Sequence, residues 1–429
     1  MCRRDPLQTT RVTYDNSMTD ETEHKPVGFE GLGINDTFLE VLAKYKFTVP
    51  TPIQHKAMPV AIRGEDVIGI AQTGTGKTLA FGIPMLQQFY TGQVQGIGLV
   101  LLPTRELAMQ VDETLGKIGG HMGLRTAVLI GGENMRKQVM QLRRRPHVLV
   151  ATPGRLLDLV EQGHIKLDKT AILVLDEADR MLDMGFAPQL NRIMQMLPAP
   201  QNRQTLLFSA TMPADIVTIA NKHMKTPVRV EVAQQGTAAE TVEQEMFIVR
   251  KEDKFALLVE LLKQYAGSVL VFARTKHGAS KLAKHLMDER FSAAEIHANK
   301  SLAQRIRALE GFKKGQYRVL VATDIAARGI DVTNIELVVN FDLPDSTGDY
   351  VHRIGRTGRA GRLGRAISFA SPDQRQDIRD IERLIRKPIT ISKHAKLSVE
   401  MPTIPMSQRG IMGGRRRTYP RRPRFTGRR

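Results

Sequence analysis

A chain of 429 residues, 25% charged and 41% hydrophobic, is long enough for two folded domains plus extensions and too apolar to be disordered throughout. Its formal net charge of +19 favours a polyanionic partner, with RNA, DNA and anionic membrane surfaces as candidates. No apolar run approaches the roughly 20 residues of a membrane span, one cysteine excludes internal disulfides and thiolate-built zinc sites, and 5% aromatics without Trp disfavour a base-stacking platform.

Residues 1–27 are polar, mixed in charge and without periodicity, so a disordered lead-in is expected, with no apolar run to act as a signal peptide. A cytoplasmic protein is the simplest expectation. Segment 28–56 carries Phe29, then Leu39, Leu42 and Ala43 at helical spacing that ends before Pro50. Residues 47–54 read as a rigid turn that presents one amide side chain, Gln54.

A first domain is expected over 57–231. Residues 66–70 predict a short buried strand and 79–86 the start of a helix. Between them stand Ala71, Gln72, Thr73, Gly74, Thr75, Gly76, Lys77 and Thr78, the strand–turn–helix setting of a phosphate-binding P-loop. Its backbone N–H groups would cradle phosphate oxygens at a positive helix end. Lys77 would reach the β- and γ-phosphates, and Thr78 would hold Mg²⁺. Ala71 stands where the general pattern has Gly. Apolar runs at 97–102, 126–130, 148–151, 172–175 and 205–208 alternate with helical segments, which predicts a parallel sheet covered on both faces. Polar motifs follow these runs, at the strand ends where such sheets place their chemistry: Thr104 and Arg105, Gly132, Gly154 and Arg155, Asp176 to Asp179, and Ser209 to Thr211.

Residues 232–241 have the small, polar composition of a linker. A second alternating set over 242–395 has strands expected near 246–249, 269–272, 319–322, 337–340 and 366–369, and no P-loop. After about Lys396 arginines lie among Gly and Pro without Asp or Glu. The tail 396–429 is therefore expected to be a disordered basic arm for nucleic acid, with a solubilising tail as the alternative.

The acids after residue 175 have two readings. Asp176 suits Mg²⁺ shared with Thr78, and Glu177 a general base for the attacking water. Either Asp176 or Asp179 would also serve as a helix cap before Arg180. The P-loop upstream favours catalysis.

Asp176-Glu177-Ala178-Asp179, with the motifs around it in order and spacing from about Phe29 to Lys396, resembles the DEAD-box RNA helicases. The resemblance implies two tandem RecA-like α/β domains, ATP and Mg²⁺ as cofactors, and RNA-stimulated ATP hydrolysis with local duplex unwinding. Gln54 is then similar to the family's adenine-reading glutamine and Phe29 to its isolated upstream aromatic. Asp179, Ser209, Thr211 and His352 match positions that couple hydrolysis to domain closure. Asp331 matches the acid on the ribose, and Arg356 and Arg359 the arginine fingers beside Lys77 and Glu177. RNA contacts are implied at Thr104, Arg105, Gly132, Gly154 and Arg155, and at Arg274, Thr275, Gln304, Arg307 and Thr323. Lys46 before Phe47 and the His297-Ala298-Asn299 approach depart from the commoner pattern without removing a catalytic group.

The short Arg/Gly tail resembles those of bacterial members in ribosome assembly or RNA turnover. Sequence-tolerant binding of structured RNA by a monomer is expected, with ribosome-assembly or RNA-degradation proteins as possible partners. Two alternatives stay open: a DNA helicase or translocase of the same superfamily, and an ATP-gated RNA clamp without turnover. For Arg356 and Arg359, in an Arg-rich stretch, the alternative role is general RNA contact.

Overall fold

The continuous apolar runs become parallel strands in both halves of the chain. The computed structural model describes residues 28–71, 74–232, 242–327, 335–358 and 363–394. The main boundary between two compact units falls after Val232. In the first unit β1 (Val67–Ile70), β2 (Ile97–Leu101), β3 (Thr126–Leu129), β4 (Val148–Ala151), β5 (Thr170–Leu175), β6 (Gln204–Ser209) and β7 (Val228–Glu231) form one sheet. Their order is β3-β4-β2-β5-β6-β1-β7, and every pairing is parallel. The second unit contributes β8 (Val242–Ile248), β9 (Val269–Phe272), β10 (Ala293–Ile296), β11 (Val319–Ala322), β12 (Leu337–Asn340), β13 (Gly364–Ala370) and β14 (Thr390–Ser392). Its order, β10-β11-β9-β12-β13-β8-β14, is the first order with seven added to each number. The chain folds one topology twice.

The interior strands β1, β4, β9, β11 and β12 are buried at every position, which is why they read as unbroken apolar runs. Successive residues enter opposite faces: Leu270 and Phe272 join one core, Val269 and Val271 the other. Strands β7, β10 and β14 have no counterpart in the sequence expectation. All three lie at sheet edges, where exposed or charged residues interrupt the apolar pattern.

The P-loop helix is Lys77–Tyr90, longer than the apolar stretch 79–86 that signalled it, and it passes through Pro84. It is buried along nearly its whole surface, so it behaves as a core helix rather than an amphipathic one. A Cβ on Gly82 would come within 2.5 Å of Leu115, so glycine permits close packing against helix Arg105–Gly120. Gln87 from the P-loop helix accepts from the N–H of Asn35 at 2.8 Å and donates to the carbonyl of Gly33 at 2.9 Å. Two part-buried hydrogen bonds thus anchor the N-terminal segment to the first unit.

Candidate nucleotide and RNA site

Sheet order sorts the candidate residues into two groups. The P-loop follows β1, the acidic motif follows β5 and Ser209–Thr211 follows β6, three adjacent strands. The candidate RNA residues Thr104 and Arg105, Gly132, and Gly154 and Arg155 follow β2, β3 and β4, the three adjacent strands on the other side. In the second unit Arg274, Thr275, Gln304, Arg307 and Thr323 follow β9, β10 and β11, the equivalent trio. All stand at carboxyl ends of parallel strands, where such sheets gather their chemistry.

In the P-loop Gly74 and Gly76 are left-handed, with φ of 86° and 88°. Gly76 precedes the first residue of helix Lys77–Tyr90. A Cβ there would stand 2.4 Å from Gln54 Nε2. Gln54 is not in a turn as the sequence suggested. Pro52 suits the first helical position, so helix Pro52–Ile62 begins before it and Gln54 lies in the first turn. The Gln54 amide is 3% exposed; its Nε2 donates to the Gly76 carbonyl at 3.0 Å and its Oε1 accepts from the N–H of Thr51 at 2.9 Å. A primary amide has a second N–H and a second lone pair, the donor–acceptor pair that reads an adenine edge. Phe29 is buried, as is Ala71, while Thr75 and Thr78 are half-buried.

Lys77 is buried, with Nζ 3.2 Å from the Ala71 carbonyl and 3.8 Å from Asp176 Oδ1. Burial is the largest cause raising the Asp176 carboxyl to about 6; the Lys77 ammonium opposes it and the nearby Glu177 charge adds to it. Strand β5 ends at Leu175, so strand alternation does not set the direction of Glu177. Glu177 instead adopts a left-handed conformation, φ 52°, ahead of helix Ala178–Asp183. Such a conformation costs a non-glycine residue about 1–2 kcal/mol. Strain of this kind is concentrated at functional positions. Its carboxylate pairs with Arg180 at 2.9 Å, both side chains being buried. Arg180 went unassigned in the sequence because nothing there signals that this arginine turns inward.

Asp179 ties the acidic motif to the next strand end. Its Oδ2 accepts from both the N–H and the hydroxyl of Thr211, each at 2.8 Å, and its backbone N–H donates to the Ser209 hydroxyl at 3.2 Å. Capping does not explain the acids. Glu177 holds the N-cap position without a side-chain cap bond, while Asp176 and Asp179 accept from the N–H of the residue that follows each.

Thr104 and Thr275 do the same task in the two units: each caps the next helix, accepting from Leu107 and Gly278. Gly132 is left-handed at φ 79°, and a Cβ on Gly154 would meet nothing within 4 Å. Buried Gln138 bonds both Arg155 Nη1, at 3.1 Å, and the Ile130 carbonyl, at 2.9 Å. It links the loop after β3 to the first turn of helix Pro153–Glu161 after β4, a role that a glutamine within an otherwise polar segment does not announce. Arg274 lies 3.4 Å from Asp345 and donates to the Leu343 carbonyl; Gln304 completes the Ser301 capping box; Arg307 is exposed and Thr323 buried.

Arg356 is 3% exposed, with Nε 3.3 Å from the His352 carbonyl. Its neighbour Arg353, given no role by the sequence, is the most connected side chain here. Its guanidinium takes both oxygens of Asp324, at 2.5 and 2.7 Å, reaches Asn340 and the Asp342 carbonyl, and lies over the Phe272 ring. Gln72, Thr73, Asp331 and Arg359, the lead-in, most of the linker and the basic tail lie outside the described residues.

A DEAD/DEAH box helicase model matches residues 51–219, and a helicase conserved C-terminal domain model matches residues 253–361. The chain is 42% identical to the ATP-dependent rRNA helicase RRP3 of Yarrowia lipolytica, over 83% of this chain and 75% of that one. It is 40% identical to the DEAD-box ATP-dependent RNA helicase 30 of Arabidopsis thaliana, over 88% of this chain and 65% of that one. Among solved structures it resembles S. cerevisiae Dbp5 bound to RNA and ADP BeF3, at 31% identity and a TM-score of 0.77, covering 85% of this chain and 95% of Dbp5. A P-loop, an acidic strand end tied to Ser209 and Thr211, and a second unit of the same topology all agree with these matches: the chain belongs to the DEAD-box family of ATP-dependent RNA helicases.

Proposed function

We propose that ATP binds across β1, β5 and β6 of the first unit while RNA lies along the loops of β2, β3 and β4 and their counterparts β9, β10 and β11, and that RNA gates hydrolysis by drawing the two units together. The observation that carries this reading is the pair of hydrogen bonds from Thr211 to Asp179, which joins the acidic motif to the strand end between it and the P-loop. Any change at the phosphates is felt at Ser209 and Thr211, and through them along the sheet.

In the mechanism, Gln54 reads the adenine edge and Gly74 and Gly76 shape the phosphate cradle. Lys77 releases the Ala71 carbonyl for a phosphate oxygen. Glu177, held in place by Arg180, orients and deprotonates water. Arg356 and Arg359 neutralise charge on the γ-phosphoryl group, a task worth about 10³–10⁵ in rate in well-studied NTPases. Asp331 holds the ribose and His352 helps couple closure to hydrolysis.

Thr78 and Asp176 would hold Mg²⁺. The donor set fits: a hydroxyl and a buried carboxylate are the hard oxygen donors this cation takes. Magnesium in such sites takes one or two protein oxygens and leaves the rest to phosphate and water. When bound, it offsets phosphate charge.

The grip on RNA through backbone and Thr, Arg and Gly positions consults no base edges, so binding is sequence-tolerant and strand separation local. The relatives' names point to ribosomal RNA as a substrate class. The single cysteine favours a reducing compartment, the cytoplasm.

Phosphate release is compared with single-stranded RNA, with DNA of equal sequence and with neither. The proposal expects strong stimulation by RNA alone, abolished in Lys77→Ala and in Glu177→Gln. Equal stimulation by DNA would refute the RNA assignment, and full turnover in Glu177→Gln would refute the assigned base.

A further inference from the structure

The first unit has a cavity of about 620 Å³ at the amino ends of β2, β4 and β5. The ATP and RNA residues stand at the carboxyl ends of the same strands. Six residues of β5 at about 3.3 Å each place roughly 20 Å of strand between the two ends. The cavity is therefore separate from the catalytic surface.

Its lining divides by chemistry. Buried Leu149 and Pro146, with half-buried Ile97 and Ile165, make an aliphatic floor, and no Phe or Tyr is present to stack a base. Arg145, Lys166 and Lys169 stand exposed at the rim and form no ion pair among the described residues. Asp168 is the only acid.

One wall is pre-ordered. Arg145 is left-handed, φ 51°, and its turn is held by Arg125, which donates to the carbonyls of Arg144 at 3.0 Å and Arg145 at 3.2 Å. The backbone N–H of Arg125 also donates to His147 Nδ1 at 3.1 Å, so the proton of the neutral ring sits on Nε2. Burial, with the Arg125 charge beside it, keeps His147 below the ordinary histidine range. Apart from Asp168 and the other histidine, His164, the ionisable lining offers donors.

We propose that this cavity docks an acidic peptide segment of a partner protein, with an aliphatic side chain on the floor and carboxylates on Arg145, Lys166, Lys169 and the His147 N–H. Charge complementarity selects the acidic partner. The aliphatic floor of this open pocket selects a peptide over RNA, whose sugar–phosphate backbone has no aliphatic side chain to lay on it. The volume lies in the range of about 300–1,000 Å³ that takes a few side chains. A partner held here leaves the ATP and RNA loops uncovered, so it would deliver the helicase to its substrate without competing for either ligand.

The test uses the full chain and a fluorescein-labelled peptide of alternating Glu and Leu, with a Glu/Ser peptide of equal charge as control, read by fluorescence anisotropy. Saturable binding of the Glu/Leu peptide is expected, at least about tenfold tighter than the Glu/Ser control, since each buried CH₂ contributes about 0.8 kcal/mol. Lys166→Glu with Lys169→Glu should weaken it by about tenfold or more while RNA-stimulated phosphate release stays unchanged. Equal binding of the two peptides would overturn the cavity in favour of diffuse charge. Loss of RNA affinity in the double variant, without peptide binding to the native chain, would overturn it in favour of an RNA surface. No binding of either peptide would also overturn it.

Discussion

Arg353→Met tests what holds the second unit's strand ends in place. The substitution keeps an unbranched, apolar stem and removes the guanidinium. It leaves the Asp324 carboxylate without two short bonds, and Asn340 and the Asp342 carbonyl without a donor each. Breaking a buried pair by removing one partner costs about 3–5 kcal/mol. Arg353 is 1% exposed but Asp324 is 21% exposed, so water recovers part of the loss and about 3 kcal/mol is expected. At about 1–3 kcal/mol/M that lowers the urea midpoint of the second unit by roughly 1–3 M. Pulsed hydrogen exchange along a urea titration reads the two units separately: peptides from β11 and β12 should shift and those from β2 and β5 should not. Arg353→Lys should recover only part, because an ammonium cannot take both carboxylate oxygens in a fork. A shift below about 1 kcal/mol, or an equal shift in both units, would refute the assignment of Arg353 as the anchor.

Gly76→Ala places a Cβ 2.4 Å from Gln54 Nε2 at φ 88°, so the loop must leave its present shape; restoring it costs about 2–3 kcal/mol, and ATP affinity by calorimetry should fall about 30-fold or more. Thr211→Val removes the hydroxyl that donates to Asp179 but keeps the backbone bond, so ATP turnover should persist while strand separation per ATP falls, measured on a labelled RNA duplex. Truncation before Arg409 should weaken RNA binding and flatten its dependence on salt, since each lost phosphate contact removes about 0.7–0.9 from the log–log slope; an unchanged slope would contradict the arm.

The sequence made legible what repeated apolar runs and local motifs encode. Strands buried on both faces announce themselves without structure, and so do glycines that open a phosphate loop before Lys77. Edge strands β7, β10 and β14 were illegible because exposure lets polar residues interrupt the pattern. The polar scaffolding was illegible for a different reason. Arg180, Gln138 and Arg353 are common residue types in polar surroundings. Distant pairing with Arg155 and Asp324 turns Gln138 and Arg353 inward, and Arg180 turns inward to a buried Glu177 three residues away whose left-handed backbone no local pattern signals. Glu177 shows the limit of a local rule, since it sits past the end of β5, where strand alternation no longer aims side chains.

The central claim is that RNA and ATP together close two separate units. With Cys2→Ser removing the one native thiol, Gln93→Cys in the first unit and Met287→Cys in the second, both exposed, accept a fluorophore pair. Energy transfer is then measured with RNA alone, with a non-hydrolysable ATP analogue alone, with both, and with both in the Lys77→Ala background. The account predicts a new transfer state only when both ligands are present, and its loss in Lys77→Ala; a distance that stays the same in all four conditions would contradict it.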